Sequence, residues 1–294
     1  MFDHRQIRRA FARAAPGYSA FAALQAEVES RLLEQLDAVA AAPARVLDLG
    51  SGPGKAAAAI KRQWPRAQVL ALDIALPMLR LQRQGWWKPA ARRVERVCAD
   101  ARALPLADAS LDLLFSNLCL QWVDDLPATL DGFRRVLRPD GLLLFSTFVD
   151  DTLWELRQAF AEADPGRPHV SGFLPLQTVG DALLAAGFRD PVLHVDRFHL
   201  DYAEPMALLR ELHGLGAGNA MADRRRGLTG KQRMRAALAA YPRAAGQERI
   251  VATYDVAYVQ AFAPQPGQPR RLGGADVVGF PVESLRRRKP QSPT

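Results

Sequence analysis

Asp48-Leu49-Gly50-Ser51-Gly52-Pro53-Gly54 sets one carboxylate and three glycines between an apolar run, RVLDL at 45–49, and an Ala-rich segment, KAAAAIKRQW at 55–64. Glycines so spaced let a chain turn tightly and let a ligand lie against the main chain. A dinucleotide fingerprint is G-x-G-x-x-G, with a pyrophosphate resting on the following helix N-terminus. Here Lys55 stands where the third glycine of that fingerprint would be. Asp48, two residues ahead of Gly50, would repel a phosphate and attract an ammonium group.

Three more polar positions follow at ends of apolar runs. Asp73 closes QVLALD at 68–73, nineteen residues after Gly54; Asp100 closes RVCAD at 96–100; Ser116-Asn117 lies within LDLLFSNLCLQW at 111–122. A carboxylate at a second strand end accepts hydrogen bonds from ribose hydroxyls in doubly wound nucleotide sites. Asp100 stands where an adenine amino group would lie. Each position alone would also serve as a loop cap, and a nicotinamide dinucleotide remains the alternative for a glycine turn. The four together suit a nucleoside with a cationic amino-acid end, S-adenosylmethionine. Its pocket is expected to comprise Asp48, Gly50, Ser51, Gly52, Gly54, Asp73, Ile74, Asp100, Ala101 and Asn117.

These residues need a parallel sheet behind them. Strands at 45–49, 68–73, 96–100, within 111–122 and at 142–148 alternate with helices at 55–64, 77–84 and 126–137. That alternation implies βαβ units, and apolar runs without polar alternation suit strands buried on both faces. Helices are expected at 152–163 and 175–188, an alternating strand at 191–202, helices at 205–216 and 229–242, and a last strand at 249–263. The fold class is therefore α/β: a doubly wound, mostly parallel seven-stranded sheet, Rossmann-like, with a helical insertion before the last strand. Its parts are an N-terminal helical lid at 1–42, a main domain at 43–264 with a helical cap at 203–245, and a basic tail at 265–294, rich in Pro, Gly and Arg and expected to be disordered.

The 294 residues carry 39 Lys and Arg against 31 Asp and Glu, a net charge of +8. Such a balance favours acidic partners. Cys98 and Cys119, the only cysteines, sit among apolar residues and read as buried thiols. No Cys/His spacing suits a metal. The N-terminus lacks a secretory apolar segment and no run is long enough to span a membrane, so a cytoplasmic location with no membrane partner is expected.

The strand-end series over about 43–148 resembles class I S-adenosylmethionine-dependent methyltransferases. Three segments resemble, more narrowly, the malonyl-[acyl-carrier protein] O-methyltransferases of biotin synthesis: Arg8 to Tyr18 followed by Leu24-Gln25, Ser116 to Trp122, and Gly227 to Arg233. The similarity runs over about 4–263. Ser116 to Trp122 is also similar to methyltransferases of small carboxylic acids such as trans-aconitate, and the other two segments to assembly factors of respiratory complex I. Ser51 and Pro53 depart from the Cys and Thr common in relatives, leaving the glycines intact.

The resemblance implies methyl transfer from S-adenosylmethionine to the free carboxylate of malonyl-acyl-carrier protein, or malonyl-coenzyme A, giving an ester. A carboxylate is ionised at neutral pH, with a reference pKa of about 4, so no general base is expected. Catalysis would come from alignment and from stripping water off the oxygen. Tyr18 is implied to be a lid and positioning residue over the methionine end; packing of an amphipathic helix is the other reading. Gln121 and Trp122 are expected to line the acceptor pocket, with a core tryptophan as the alternative. An Arg or Lys is expected to bind the acceptor carboxylate. Arg224, Arg225, Arg226, Lys231 and Arg233 are expected at the mouth, where an acidic carrier protein docks. Nucleic acid is disfavoured, because no RNA-binding module and no N-P-P-Y-type motif is present. An RNA methyltransferase and a noncatalytic assembly protein remain the competing classes.

Overall fold

A computed structural model of the chain describes residues 1–39, 41–82, 93–224, 227, 229–243, 248–265, 270–272 and 275–277. Seven strands form one sheet: β1 (Arg45–Leu49), β2 (Gln68–Asp73), β3 (Glu95–Cys98), β4 (Leu111–Ser116), β5 (Leu137–Val149), β6 (Arg189–Tyr202) and β7 (Ile250–Phe262), in the order β3-β2-β1-β4-β5-β7-β6. β1 to β5 pair in parallel, while β7 runs antiparallel to both neighbours. The doubly wound, mostly parallel architecture with an insertion before the last strand is the one expected.

Parallel register aligns the strand ends. Leu49 lies opposite Leu72 and Ser116, and Asp73 opposite Cys98. Asp48, Asp73, Asp100 and Asn117 are thereby delivered to one edge of the sheet. Between β1 and β4 the connections depart in opposite directions, which opens a crevice at the carboxyl edge.

Helices α4 (Lys55–Gln63), α5 (Leu76–Leu81), α6 (Leu126–Val136), α7 (Trp154–Ala163) and α8 (Leu176–Ala185) cover the sheet. α6 starts sharply because Asp125 accepts a hydrogen bond from the Ala128 amide, with Pro127 in the first turn. It buries Leu126, Leu130, Phe133 and Val136 against one face of the sheet, together with Val179 and Leu183 of α8. The opposite face takes Ala57 and Ile60 of α4 and Leu156 and Phe160 of α7.

The N-terminal helices α1 (His4–Ala14), α2 (Tyr18–Phe21) and α3 (Ala23–Glu34) divide between two roles. Leu24, Val28 and Leu32 of α3 recur every four residues and enter the main core at 5% exposure or less. The part up to α2 lies over the crevice, with Phe11, Ala12 and Tyr18 against Ala15, Ala75 and Met78, and α3 turns Gln25 and Glu29 toward it. The insertion carries α9 (Pro205–Gly214) and α10 (Lys231–Ala239). Because β6 is antiparallel to β7, as β5 is, Tyr202 ends at the same edge as the glycine turn.

Three expectations are corrected. β5 begins at Leu137 rather than 142, because Leu137 pairs with Leu111 before a register shift and Asp140 turns the chain at φ 60°. The tail is not wholly irregular: β8 (Arg270–Leu272) and β9 (Ala275–Val277) pair antiparallel. Cys98 is exposed, since β3 is an edge strand with one neighbour. Cys119 is partly buried. Trp86, Trp87, Arg225, Arg226 and most of the tail lie outside the described residues.

Candidate active site

The glycine turn is built on left-handed backbone. Gly50, Gly52 and Gly54 have φ of 70°, 50° and 79°. A Cβ on Gly50 would stand 2.6 Å from Cys119 Sγ, and one on Gly54 2.5 Å from the Gln82 side chain. A Cβ on Gly52 would meet nothing within 4 Å. Gly52 therefore leaves open backbone facing the crevice, where a ligand can approach.

The crevice has two compartments. The first is a cleft of about 730 Å³ counted with the solvent at its mouth. Tyr18, Gly50, Gly52, Asp73, Ile74, Asp100, Ala101 and Asn117, all expected there, line it together with His4, Phe11, Cys119 and Trp122. The second is a recess behind the turn, lined by Tyr18, Gln25, Glu29, Asp48, Ser51, Lys55 and Asn117. Gly54 lines neither and instead starts α4.

Asp73 closes the turn as well as facing the crevice. Its Oδ2 accepts from the Gly52 amide at 2.9 Å and its Oδ1 from the Ala75 amide at 2.7 Å. A carboxylate offers about four lone-pair directions, so acceptor capacity remains for a ribose diol. Asp48 is 1% exposed, and its Oδ2 accepts from the Ala57 amide at 2.9 Å. Burial raises the pKa of both aspartates. Glu29, across the recess, is pushed up to about 7 by burial, against the pull of Lys55. Two buried carboxyls and a half-buried third around one crevice are an environment that a cationic ligand relieves.

Asp100 is differently placed. Arg102 holds its carboxylate from the backbone N–H at 3.0 Å, Nε at 3.0 Å and Nη2 at 2.7 Å, and this pairing lowers its pKa. Asn117 is engaged at both ends of its amide: Nδ2 donates to the Gln25 carbonyl at 3.0 Å, and Oδ1 accepts from Ser146 Oγ at 2.7 Å. It anchors α3 to the ends of β4 and β5 while lining both compartments. Ser51 Oγ accepts from Gln82 Nε2 at 3.2 Å.

A third cavity lies between the crevice and the cap, bounded by Gln121, Trp122, Phe148, His169, Leu212 and Tyr254 among others. Gln121 and Trp122, expected at an acceptor pocket, both line this cavity. Trp122 lines this cavity and the first compartment, with Phe11 packed edge-on against it at 5.5 Å. Among the described residues no Arg or Lys lines this cavity. Arg224 Nη2 is bonded to Asp3 Oδ2 at 3.0 Å and its Nη1 to the Met221 carbonyl at 2.8 Å, tying down the N-terminus. Lys231 and Arg233 are exposed on α10, with Arg233 Nε 3.6 Å from Asp164.

Sequence reasoning did not single out Glu29, Arg102, Cys119 or His4 as site residues. A signal existed for one of them: Gln25 and Glu29 stand four apart on α3, on a face other than Leu24, Val28 and Leu32. The donor set as a whole fits S-adenosylmethionine: buried acids for its cationic end, Asp73 for its ribose, and Ile74, Ala101 and Leu118 as apolar walls for its base.

Residues 47–145 match the family described as Methyltransferase domain. The chain is 47% identical over 289 residues to the malonyl-[acyl-carrier protein] O-methyltransferase of Xylella fastidiosa, covering 97% of this chain and 96% of that protein. It is 46% identical to the protein of the same name from Laribacter hongkongensis, covering 95% and 96%. The fold is similar to that of the YcgJ protein of Bacillus subtilis, with a TM-score of 0.55 at 16% identity over 80% of this chain and 98% of that one. At this identity and coverage the chain belongs to the malonyl-[acyl-carrier protein] O-methyltransferase family.

Proposed function

We infer that this protein methylates the free carboxylate of a malonyl thioester carried on acyl-carrier protein, at an early step of biotin synthesis. The observation that carries the reading is an apolar acceptor cavity meeting an acid-lined crevice at Trp122, in a chain whose relatives are named for that reaction. S-adenosylmethionine supplies the electrophilic methyl group. An acceptor oxygen forms the new O–CH₃ bond with its lone pair as the C–S bond breaks and that pair stays on sulfur. No proton moves, so the site needs no base.

The residues nearby agree with that economy. Burial, then Asp73 and Glu29, raise the Tyr18 phenol above its ordinary pKa, so it keeps its proton and serves as a wall and lid. Cys119 is pushed up to about 12 by burial and by Asp73. It stays a thiol, which prevents it from competing for the methyl group, since the thiolate is the nucleophile. Trp122, Phe11 and Phe2 form an aromatic wall that excludes water from the attacking oxygen.

The carrier protein is the acidic partner. Arg5, Arg8, Arg9 and Arg13 share the outer side of α1, are exposed, and form no ion pair with a described residue. The inner side of the same helix, at His4, Ile7 and Phe11, lines the crevice. No described helix is long and apolar enough to cross a membrane, and we place the reaction in the cytoplasm.

Purified protein with methyl-labelled S-adenosylmethionine should transfer label to malonyl-acyl-carrier protein, and an esterase should remove it. Acetyl-acyl-carrier protein and total RNA should stay unlabelled. Equal labelling of acetyl and malonyl forms would refute carboxyl methylation.

A further inference from the structure

The acceptor cavity must hold an anion, yet among the described residues it presents no Arg or Lys. Of its other ionisable side chains, His213 is exposed at the rim, while His169 and Glu211 are already committed. His169 Nε2 is bonded to Asp164 at 2.9 Å, and its ring stacks on Phe160 at 4.5 Å. Glu211 accepts from the Tyr202 hydroxyl at 2.9 Å. Gln25 differs from these. It is the one described residue that lines both this cavity and the recess containing Asp48 and Glu29. Its backbone is fixed by Asn117 at 3.0 Å. Its side-chain Oε1 is buried with no hydrogen-bond partner, and the amide makes no bond to another described residue. A buried acceptor oxygen left unpaired on a pinned backbone is costly and calls for an explanation.

We propose that the Gln25 side-chain amide is the group that binds and orients the acceptor carboxylate, holding one oxygen toward the methyl group by an N–H donated to the other. This rests on the carboxyl-methylation reading above. The two ends of the amide exchange by a half-turn of the last torsion, so its N–H is available on the acceptor side.

The chemistry favours an amide over a cation. Carboxylate and sulfonium lose their opposite charges as the O–C bond forms and the C–S pair moves to sulfur. The transition state is less charged than the reactants. An Arg or Lys salt bridge would hold the reactant more strongly than the transition state and so oppose the step. A neutral donor in an apolar cavity fixes direction with a smaller penalty of that kind.

The test compares Gln25→Glu, Gln25→Met and Gln25→Lys with wild type. Two measurements are made: steady-state kinetics on malonyl-acyl-carrier protein, and calorimetric affinity for S-adenosylmethionine. Gln25→Glu sets a like charge against the acceptor and should lower kcat/KM by about 100-fold or more, with Gln25→Met losing roughly tenfold. Gln25→Lys should lower KM and kcat together, the sign of over-stabilised reactant. Cofactor affinity should stay within about threefold of wild type in Gln25→Met, which adds no charge to the recess beside Asp48 and Glu29. Equilibrium binding of malonyl-acyl-carrier protein in the presence of S-adenosylhomocysteine should weaken for Gln25→Glu and strengthen for Gln25→Lys. Where Gln25→Glu or Gln25→Lys does not fold, the test rests on Gln25→Met, whose side chain has the same length, with Gln25→Leu as its second neutral variant. The proposal is overturned if Gln25→Met keeps wild-type kcat/KM, or if its cofactor affinity falls as far as kcat/KM does, which would assign the amide to the methionine end. Failure of the wild type to methylate the malonyl thioester, with cofactor still bound, would overturn the carboxyl-methylation reading instead.

Discussion

Glu29 on α3 and Asp48 at the end of β1 bring two carboxyls from distant elements to the first turn of α4. Asp48 accepts from the Ala57 amide at 2.9 Å, and the neighbouring Ala56 amide supports Glu29. Gly54 starts this helix without a side-chain cap, so the pair does what a capping residue would. A helix N-terminus favours negative charge, worth about 0.3–1 kcal/mol at a surface. Burial outweighs it here, and Glu29 is lifted to about 7 while Asp48 is raised by burial and then by Glu29 itself. The recess holds its negative charge poorly until a positive group enters.

A pH dependence follows. Glu29 is protonated in the folded protein at pH values where the unfolded chain has released that proton. Its contribution to ligand-free stability is therefore complete below the ordinary carboxyl range and is lost as pH rises through about 7. A cationic ligand favours the ionised form, so cofactor binding near neutral pH should release protons and tighten as pH rises. Calorimetry in buffers of differing ionisation enthalpy reads that release directly. Glu29→Gln should abolish most of it; proton uptake by the wild type would contradict the account.

Asp73 carries both a structural and a binding load. Asp73→Ala removes the acceptor for the Gly52 and Ala75 amides as well as the proposed ribose partner. A lost charged hydrogen bond costs about 1.5–3 kcal/mol, so cofactor affinity should fall roughly 10–100-fold and the melting temperature should fall with it. Asp73→Asn keeps an amide oxygen for one backbone N–H and should recover part of the stability but little of the affinity. Equal recovery of both would deny Asp73 a direct contact with the cofactor.

Asp48 and Asp73 were legible in the sequence because parallel pairing aligns strand ends, so a carboxylate closing one apolar run is placed beside the carboxylate closing the next. Gly50, Gly52 and Gly54 were legible because left-handed backbone leaves few other residues. Glu29 and Gln25 belong to a helix outside that series, and only their four-residue spacing hinted at a shared face. Arg102 was hidden by proximity: a cation two residues from Asp100 reads as surface charge until its guanidinium is seen closing on the carboxylate. Arg224 looked like one member of a basic cluster. Its partner, Asp3, lies 221 positions away, and no local pattern announces a pairing at that distance.

Arg224 should therefore act through the lid. With Asp3 it joins the strap at 221–224 to the start of α1, where Phe2 also bridges to Met221. Arg224→Ala should release the N-terminal segment and speed cofactor dissociation several-fold. It should lower turnover equally on malonyl-acyl-carrier protein and on a short malonyl thioester. Stopped-flow displacement of bound cofactor measures the first effect. A defect confined to the carrier-protein substrate would instead place Arg224 in docking.

The outer side of α1 should carry the docking charge. Arg5, Arg8, Arg9 and Arg13 have no carboxylate among the described residues to neutralise them, and they stand on the helix whose other side lines the crevice. An acidic carrier protein approaching the site would feel their summed field, screened over about 8 Å at physiological ionic strength. Reversing Arg5, Arg8 and Arg9 to Glu should lower kcat/KM on malonyl-acyl-carrier protein by about tenfold or more at low salt, and the gap to wild type should narrow as salt rises. A short malonyl thioester without the carrier should react at the wild-type rate, because Ile7 and Phe11 still close the crevice. Cofactor affinity should be unchanged for the same reason. Wild-type activity of the triple variant on the carrier protein at low salt would reduce these arginines to solvated surface and move the docking face elsewhere on the rim.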